Sequence, residues 1–197
     1  YHNKTIDKST FIKNMYSEHH SKLYEYAEYL QTTDIEKITI ENNSVTTVSR
    51  KHGIKIECIR EDYRIAPIEI LNFLDYEKNE SDMIENLIGF GSEKKVFYDI
   101  GANIGWYSIM VAKLNRNILV HSFEPIPKTY QALIKNVGLN LLPNISTYNI
   151  GFSEESGEFD FHYYPEGSGN ASSANLTGRS DTEIIKCKLK TLDEHVN

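Results

Sequence analysis

Cysteine is scarce in this chain: Cys58 and Cys187 are the only two among 197 residues, and no short spacing relates them. A disulfide framework and a thiolate zinc site are therefore disfavoured, and a reducing cytoplasm is the expected compartment. Long apolar runs are missing as well. None approaches the roughly 20 residues that span a bilayer, and the opening residues YHNKTIDKST do not resemble a secretory signal. Positive charge is in deficit, with 21 Lys and Arg against 28 Asp and Glu, a net charge of -7. A surface of that sign repels phosphate backbones, so a nucleic-acid partner is not expected. What is present, 40% hydrophobic and 25% charged residues, is the balance of a folded globular chain.

Three sections follow one another. In the first, over about residues 9 to 31, Leu23, Tyr26, Ala27 and Leu30 have the spacing of one helix face. His19 and His20 are adjacent there and point about 100° apart on a helix, so one metal ion is poorly served and a solvated face is expected. The second section, about 35 to 60, alternates: Ile38 and Ile40, Val45 and Val48, then Ile54, Ile56 and Cys58. Turn residues Asn42-Asn43-Ser44 and Lys51-His52-Gly53 divide it, which predicts an antiparallel meander. SDMIENLIGF then reads as a short helix capped by Ser81 or Asp82.

From Lys94 the pattern changes. KKVFYDI reads as a strand, Tyr107, Met110, Val111 and Leu114 as a helix face, and NILVHSFEP as a second strand. Tyr130, Leu133, Ile134 and Val137 mark a second helix, with Pro127 in its first turn and Gly138 at its C-terminal end, before a third strand ISTYNIGF. Strand and helix alternating at this spacing predict a parallel sheet with right-handed crossovers, half of a doubly wound α/β unit. The expected division is residues 1–92, a helix and β-meander extension, and residues 93–197, the α/β unit.

In such sheets ligands bind at the carboxyl ends of the strands, beside the turn after the first one. Here that turn is DIGANIG, a D-x-G-x-N-x-G pattern over residues 99 to 105. Gly101 permits dihedrals closed to other residues and leaves room for a ligand, Gly105 lets the next helix start close to the strand, and Asn103 tolerates a left-handed conformation. The free amides of the helix start can hold polar groups. A dinucleotide fingerprint keeps its glycines for a pyrophosphate. Asp99, two residues before the first glycine, is poorly placed beside phosphate and well placed beside an ammonium group. Glu124 ends the next strand, 19 residues after Gly105, where a carboxylate can accept from both hydroxyls of a ribose. An ammonium, a ribose and no pyrophosphate describe S-adenosylmethionine. The plainer alternative is that Asp99 only caps the loop or helix and Glu124 is a strand-end charge before Pro125.

DIGANIGWYS, FEP, LIKNVGLN, NIGFSEESGEFDF and KTLDE, in this order and spacing, resemble the FkbM-type methyltransferases over about residues 94 to 194. The resemblance implies a Rossmann-like methyltransferase fold and methyl transfer from S-adenosyl-L-methionine to a hydroxyl, often on a sugar, glycan or natural product. By carry-over, Asp99, Gly101, Asn103 and Gly105 line the methionine part of the cofactor and Glu124 the ribose. Gly151 and Phe152, after the third strand, lie near the adenine. The family pattern continues past TLDEHV into a further strand, which this chain does not reach. The expectation is a sheet lacking its C-terminal half, with an open first strand, a tendency to form homo-oligomers and little turnover alone.

No general base is assigned. His162 reads as a hairpin histidine and His121 as one packed inside a strand, and no metal-ligand cluster is visible. Residues 165–180, PEGSGNASSANLTGRS, lack hydrophobic periodicity and read as a mobile surface loop or a lid over an acceptor. Two competing readings use the same sheet: a nucleotide-sugar or NAD-binding protein, and a non-catalytic cofactor-binding scaffold.

Overall fold

Apolar residues that recur every second position pair the early strands, and those recurring every third or fourth hold helices over them. The computed structural model describes residues 6–89, 95–175, 178 and 182–196. The chain opens with α1 (Lys8–Met15) and α2 (Lys22–Tyr29), joined by a π-helical turn, Tyr16–His20. Neither helix buries a residue: Leu23 and Tyr26, expected on an inner face, are exposed, and so are His19 and His20. The meander follows as β1 (Ile35–Glu41), β2 (Ser44–Ser49) and β3 (Lys55–Glu57), antiparallel throughout.

Next come α3 (Ala66–Phe73) and α4 (Lys78–Gly89). The first has no counterpart among the elements expected from the sequence. The second corrects an expected cap: the helix begins at Lys78, so Ser81 and Asp82 lie inside it. Glu77 takes a left-handed φ of 41° and accepts the Ser81 N–H at 2.9 Å, while the Ser81 hydroxyl turns back to the Tyr76 carbonyl.

The parallel unit runs β4 (Val96–Ile100), α5 (Trp106–Leu114), β5 (Leu119–Phe123), α6 (Pro127–Asn140) and β6 (Ile145–Tyr148), with strand order β4-β5-β6. This is the expected α/β half-sheet. Three details differ. Gly138 lies within α6, which ends on Leu141 in the left-handed region, φ 52°. Leu114 and Ile134 are exposed rather than core-facing. The stretch read as one third strand is split: the Asn149 side chain donates to the carbonyls of Glu124 and Pro125, drawing the chain out of the sheet. Gly151–Phe152 then forms β7 of another sheet, with β8 (Gly157–Tyr163) and β9 (Glu183–Lys190) in the order β7-β9-β8. A short α7 (Leu192–Val196) follows, and its His195 ring lies edge-on to Phe123 and Tyr148.

One hydrophobic core joins the meander to the parallel unit, with Ile35, Ile54, Ile56 and Ile70 buried together with Ile109, Met110 and Val111. Two asparagines of α6 fasten the join. Asn136 accepts from the Glu57 N–H at 3.0 Å and donates to the Ile104 carbonyl at 2.9 Å. Asn140 accepts from the Lys55 N–H and donates to the Lys55 carbonyl. The expected boundary at 92/93 lies outside the described residues. Among the described residues β4 pairs only with β5, and Val96, Tyr98 and Ile100 on its far face are exposed. No helix among them is long and apolar enough to cross a membrane.

A buried polar chain crosses the base of the first turn. Asp99 sits opposite Ser122 in the sheet, and its Oδ2 accepts from the Ser108 N–H at 3.0 Å and the Ser108 hydroxyl at 2.5 Å; that hydroxyl lies 2.6 Å from Ser122 Oγ. Asp99 thus caps the first turn of α5. Asp99→Ala should lower unfolding free energy by about 1–3 kcal/mol, and Asp99→Asn, which keeps an acceptor, by clearly less. Urea denaturation of the two variants measures this, and equal losses would remove the cap from the account.

Candidate active site

The turn between β4 and α5 has the backbone its sequence predicts. Gly101, Asn103 and Gly105 all have positive φ, at 80°, 48° and 94°. The Gly101 and Ala102 N–H groups both donate to the Phe123 carbonyl at 2.9 Å, which holds the turn against the end of β5. A side chain at Gly101 would meet nothing within 4 Å, so this glycine borders open space. At Gly105 a Cβ would lie 2.6 Å from Leu133 Cδ1, so the close approach is to α6, not to the strand. Three donors at the start of α5, the N–H groups of Ile104, Trp106 and Tyr107, have no acceptor among the described residues. They lie at the positive end of the helix.

Glu124 lies across from them. Its Oε2 accepts the Asn103 N–H at 2.9 Å and its Oε1 the Ile126 N–H at 2.8 Å, so one carboxylate joins the turns that follow β4 and β5. It is 5% exposed. Burial outweighs the two N–H bonds, and the nearby Asp99 charge adds to it, pushing the Glu124 carboxyl up to about 7. Burial also raises the Asp99 carboxyl, against the pull of its two Ser108 bonds.

The other expected residues lie further off. Gly151 is buried, and a Cβ there would stand 2.7 Å from Leu189 and 3.3 Å from Pro125, so its smallness serves the join between β7, β9 and the Glu124-Pro125 turn. The Phe152 ring packs edge-on against Phe123 at 4.7 Å. His121 Nδ1 lies 3.1 Å from the Tyr148 hydroxyl, and His162 Nδ1 lies 3.1 Å from Thr182 Oγ1. Neither histidine lines the cleft described next, and no group of metal-ligating side chains occurs among the described residues.

Two parts of the site were not legible beforehand. The first is the strap at 166–170. Ser168, buried in a 3-10 turn, donates its N–H to Asp62 and its hydroxyl to Asn103 Oδ1, both at 3.0 Å. Ser168 thus anchors on the turn itself the strap within the segment expected to be a mobile surface loop or a lid; residues 176, 177, 179 and 180 lie outside the described ones. The second is a cleft of about 530 Å³ between Asn103, Gly169, Asn170 and the segment 64–80. That segment carries α3, which has Pro67 in its first turn.

No protein-family model matches the chain. Among curated proteins it is 35% identical over 89 residues to the AMB antimetabolite synthetase AmbE of Pseudomonas aeruginosa, covering 44% of this chain and 4% of that protein. It is 32% identical over 74 residues to methyltransferase sdnD of Sordaria araneosa, covering 37% of this chain and 29% of the relative. A third, 25% identical over 128 residues, is the tRNA(Phe) (4-demethylwyosine(37)-C(7)) aminocarboxypropyltransferase of Methanocaldococcus jannaschii, with 61% of this chain and 51% of the relative covered. The chain thus spans at most about half the length of these relatives.

Proposed function

We propose that this chain binds S-adenosyl-L-methionine and belongs to an enzyme that transfers its methyl group to a hydroxyl of a sugar, glycan or natural product. The observation that carries the reading is the Glu124 carboxylate, fixed at the end of β5 and bonded to the left-handed Asn103 of the glycine turn. A carboxylate in this position has lone pairs left for two ribose hydroxyls. The open space at Gly101 and the three N–H groups at the start of α5 that lack an acceptor among the described residues suit the amino-acid end of the cofactor, whose carboxylate seeks donors. Asp99 supports the turn from beneath, and Gly105 closes it against α6. Gly151 and Phe152, beyond Pro125, are assigned to the nucleobase end.

The resemblance to FkbM-type enzymes supports the hydroxyl acceptor, and sdnD is a methyltransferase by name. The archaeal relative is named for an aminocarboxypropyl transfer to tRNA(Phe); the net charge of -7 disfavours a nucleic-acid acceptor here. In the reaction the S–CH3 bond breaks as the oxygen–methyl bond forms, S-adenosylhomocysteine leaves, and the hydroxyl proton passes to a base. The proton acceptors that line the cleft are carboxylates rather than histidines.

S-adenosylhomocysteine should bind in calorimetry where NAD and a nucleotide sugar do not. Gly101→Val should abolish that binding by filling the open space at a positive φ. Normal binding by the valine variant would place the cofactor elsewhere.

The Glu124 carboxyl gives a second test. Its folded value of about 7 lies above its ordinary 4.5, so the folded state binds the extra proton between these values. Its contribution to stability is complete below 4.5 and is lost as pH rises through 7. Cofactor hydroxyls donate to the ionised form, so affinity should run the other way. The rise in melting temperature caused by S-adenosylhomocysteine should grow between about pH 6 and 8 and become nearly flat in Glu124→Gln. A pH-independent shift in the parent protein would contradict this role.

A further inference from the structure

The cleft beside Asn103 has a chemistry that cofactor binding does not use. Its lining carries four carboxylates, Glu69, Asp75, Glu77 and Glu80, against two cations, Arg64 and Lys78. Both cations are committed: Arg64 Nε lies 2.7 Å from Glu69 Oε1, and Lys78 pairs with Asp82 one turn along α4. Glu77 accepts the hydroxyl of Tyr107. Asp75 and Glu80 have neither an ion pair nor a hydrogen bond among the described residues. Two rings, Phe73 and Tyr76, share the wall, and no aliphatic side chain among the described residues lines it.

Tyr76 connects this wall to the glycine turn. Its ring stands edge-on to that of Trp106, with centroids 5.5 Å apart. Trp106 opens α5, and both its backbone N–H and its buried indole Nε1 lack an acceptor among the described residues. The cleft thus borders the glycine turn at Asn103, the residue whose N–H donates to Glu124.

We propose that this cleft is the acceptor subsite and that it takes a cationic acceptor, a hydroxyl compound bearing a protonated amine, of the amino-sugar or amino-alcohol class. The proposal rests on the cofactor reading for its position next to a methyl donor. The carboxylates of Asp75 and Glu80, without a partner among the described residues, attract an ammonium group, and two aromatic rings share the same wall. The lining carries four carboxylates against two cations, each cation already beside a carboxylate, so nucleotide-linked and other anionic acceptors are disfavoured. The walls belong to the segment 64–80, ahead of the parallel unit. On this reading the N-terminal part of the chain chooses the acceptor.

The test uses the whole chain, titrated with and without saturating S-adenosylhomocysteine, and three probes: glucosamine, N-acetylglucosamine and glucose 6-phosphate. Glucosamine should bind at least about fivefold more tightly than either of the others. The double variant Asp75→Asn, Glu80→Gln, confined to exposed positions, should weaken glucosamine about tenfold while S-adenosylhomocysteine affinity and melting temperature stay unchanged. Absent glucosamine binding, equal binding of the acetylated sugar, preference for the phosphate, or an unaffected double variant would each overturn the proposal. Loss of S-adenosylhomocysteine binding by the parent protein, with selective glucosamine binding intact, would instead overturn the cofactor reading alone.

Discussion

The carboxylate of Glu124 holds the site together. Parallel strands end in separate turns, and nothing in strand pairing obliges the turn after β4 to sit in register with the turn after β5. Here one buried side chain accepts from Asn103 in the first turn and Ile126 in the second, fixing both relative to the sheet. The cost is desolvation, visible in a carboxyl raised to about 7. A buried acid that meets this cost and still has lone pairs to offer at a strand end is suited to gripping hydroxyls.

Around that bridge the turn is supported from three sides. Beneath it, Asp99 and Ser108 fix the first turn of α5. Behind it, Asn136 of α6 takes the Ile104 carbonyl and also grips β3, so the same side chain ties the meander to the glycine turn. Above it, Ser168 fastens the strap to Asn103. The N-terminal residues share the core of the parallel unit and build one wall of the cleft proposed for the acceptor.

Much of this was legible in the sequence because it follows from local chemistry. A glycine and an asparagine after an apolar strand announce a turn with positive φ, and Gly101 and Asn103 have it. Gly105, read as permitting a close approach to the strand, also has positive φ and makes its close approach to α6. Alternation gave the meander, and period-3.6 spacing gave α5 and α6. What could not be read depends on contacts distant in sequence. The sequence leaves Asp99 open between facing a ligand's ammonium group and capping a helix; its side-chain bonds to Ser108 are those of a cap, and they depend on a serine nine residues away. Ser168 lies in a stretch rich in Gly, Ser and Asn whose composition suggests freedom, and Asp62, 106 residues earlier, removes it. Ser81 has the composition of a cap, but the helix starts a turn before it because Glu77 adopts the left-handed conformation.

The most direct test is to follow the backbone amides of residues 101–107 by 15N NMR as S-adenosylhomocysteine is added. On this account the Ile104, Trp106 and Tyr107 amides shift most, since they gain the acceptor they lack, and Asn103 shifts with them through Glu124. Saturable binding that leaves these amides in place while moving others would contradict the assignment of this turn as the cofactor site.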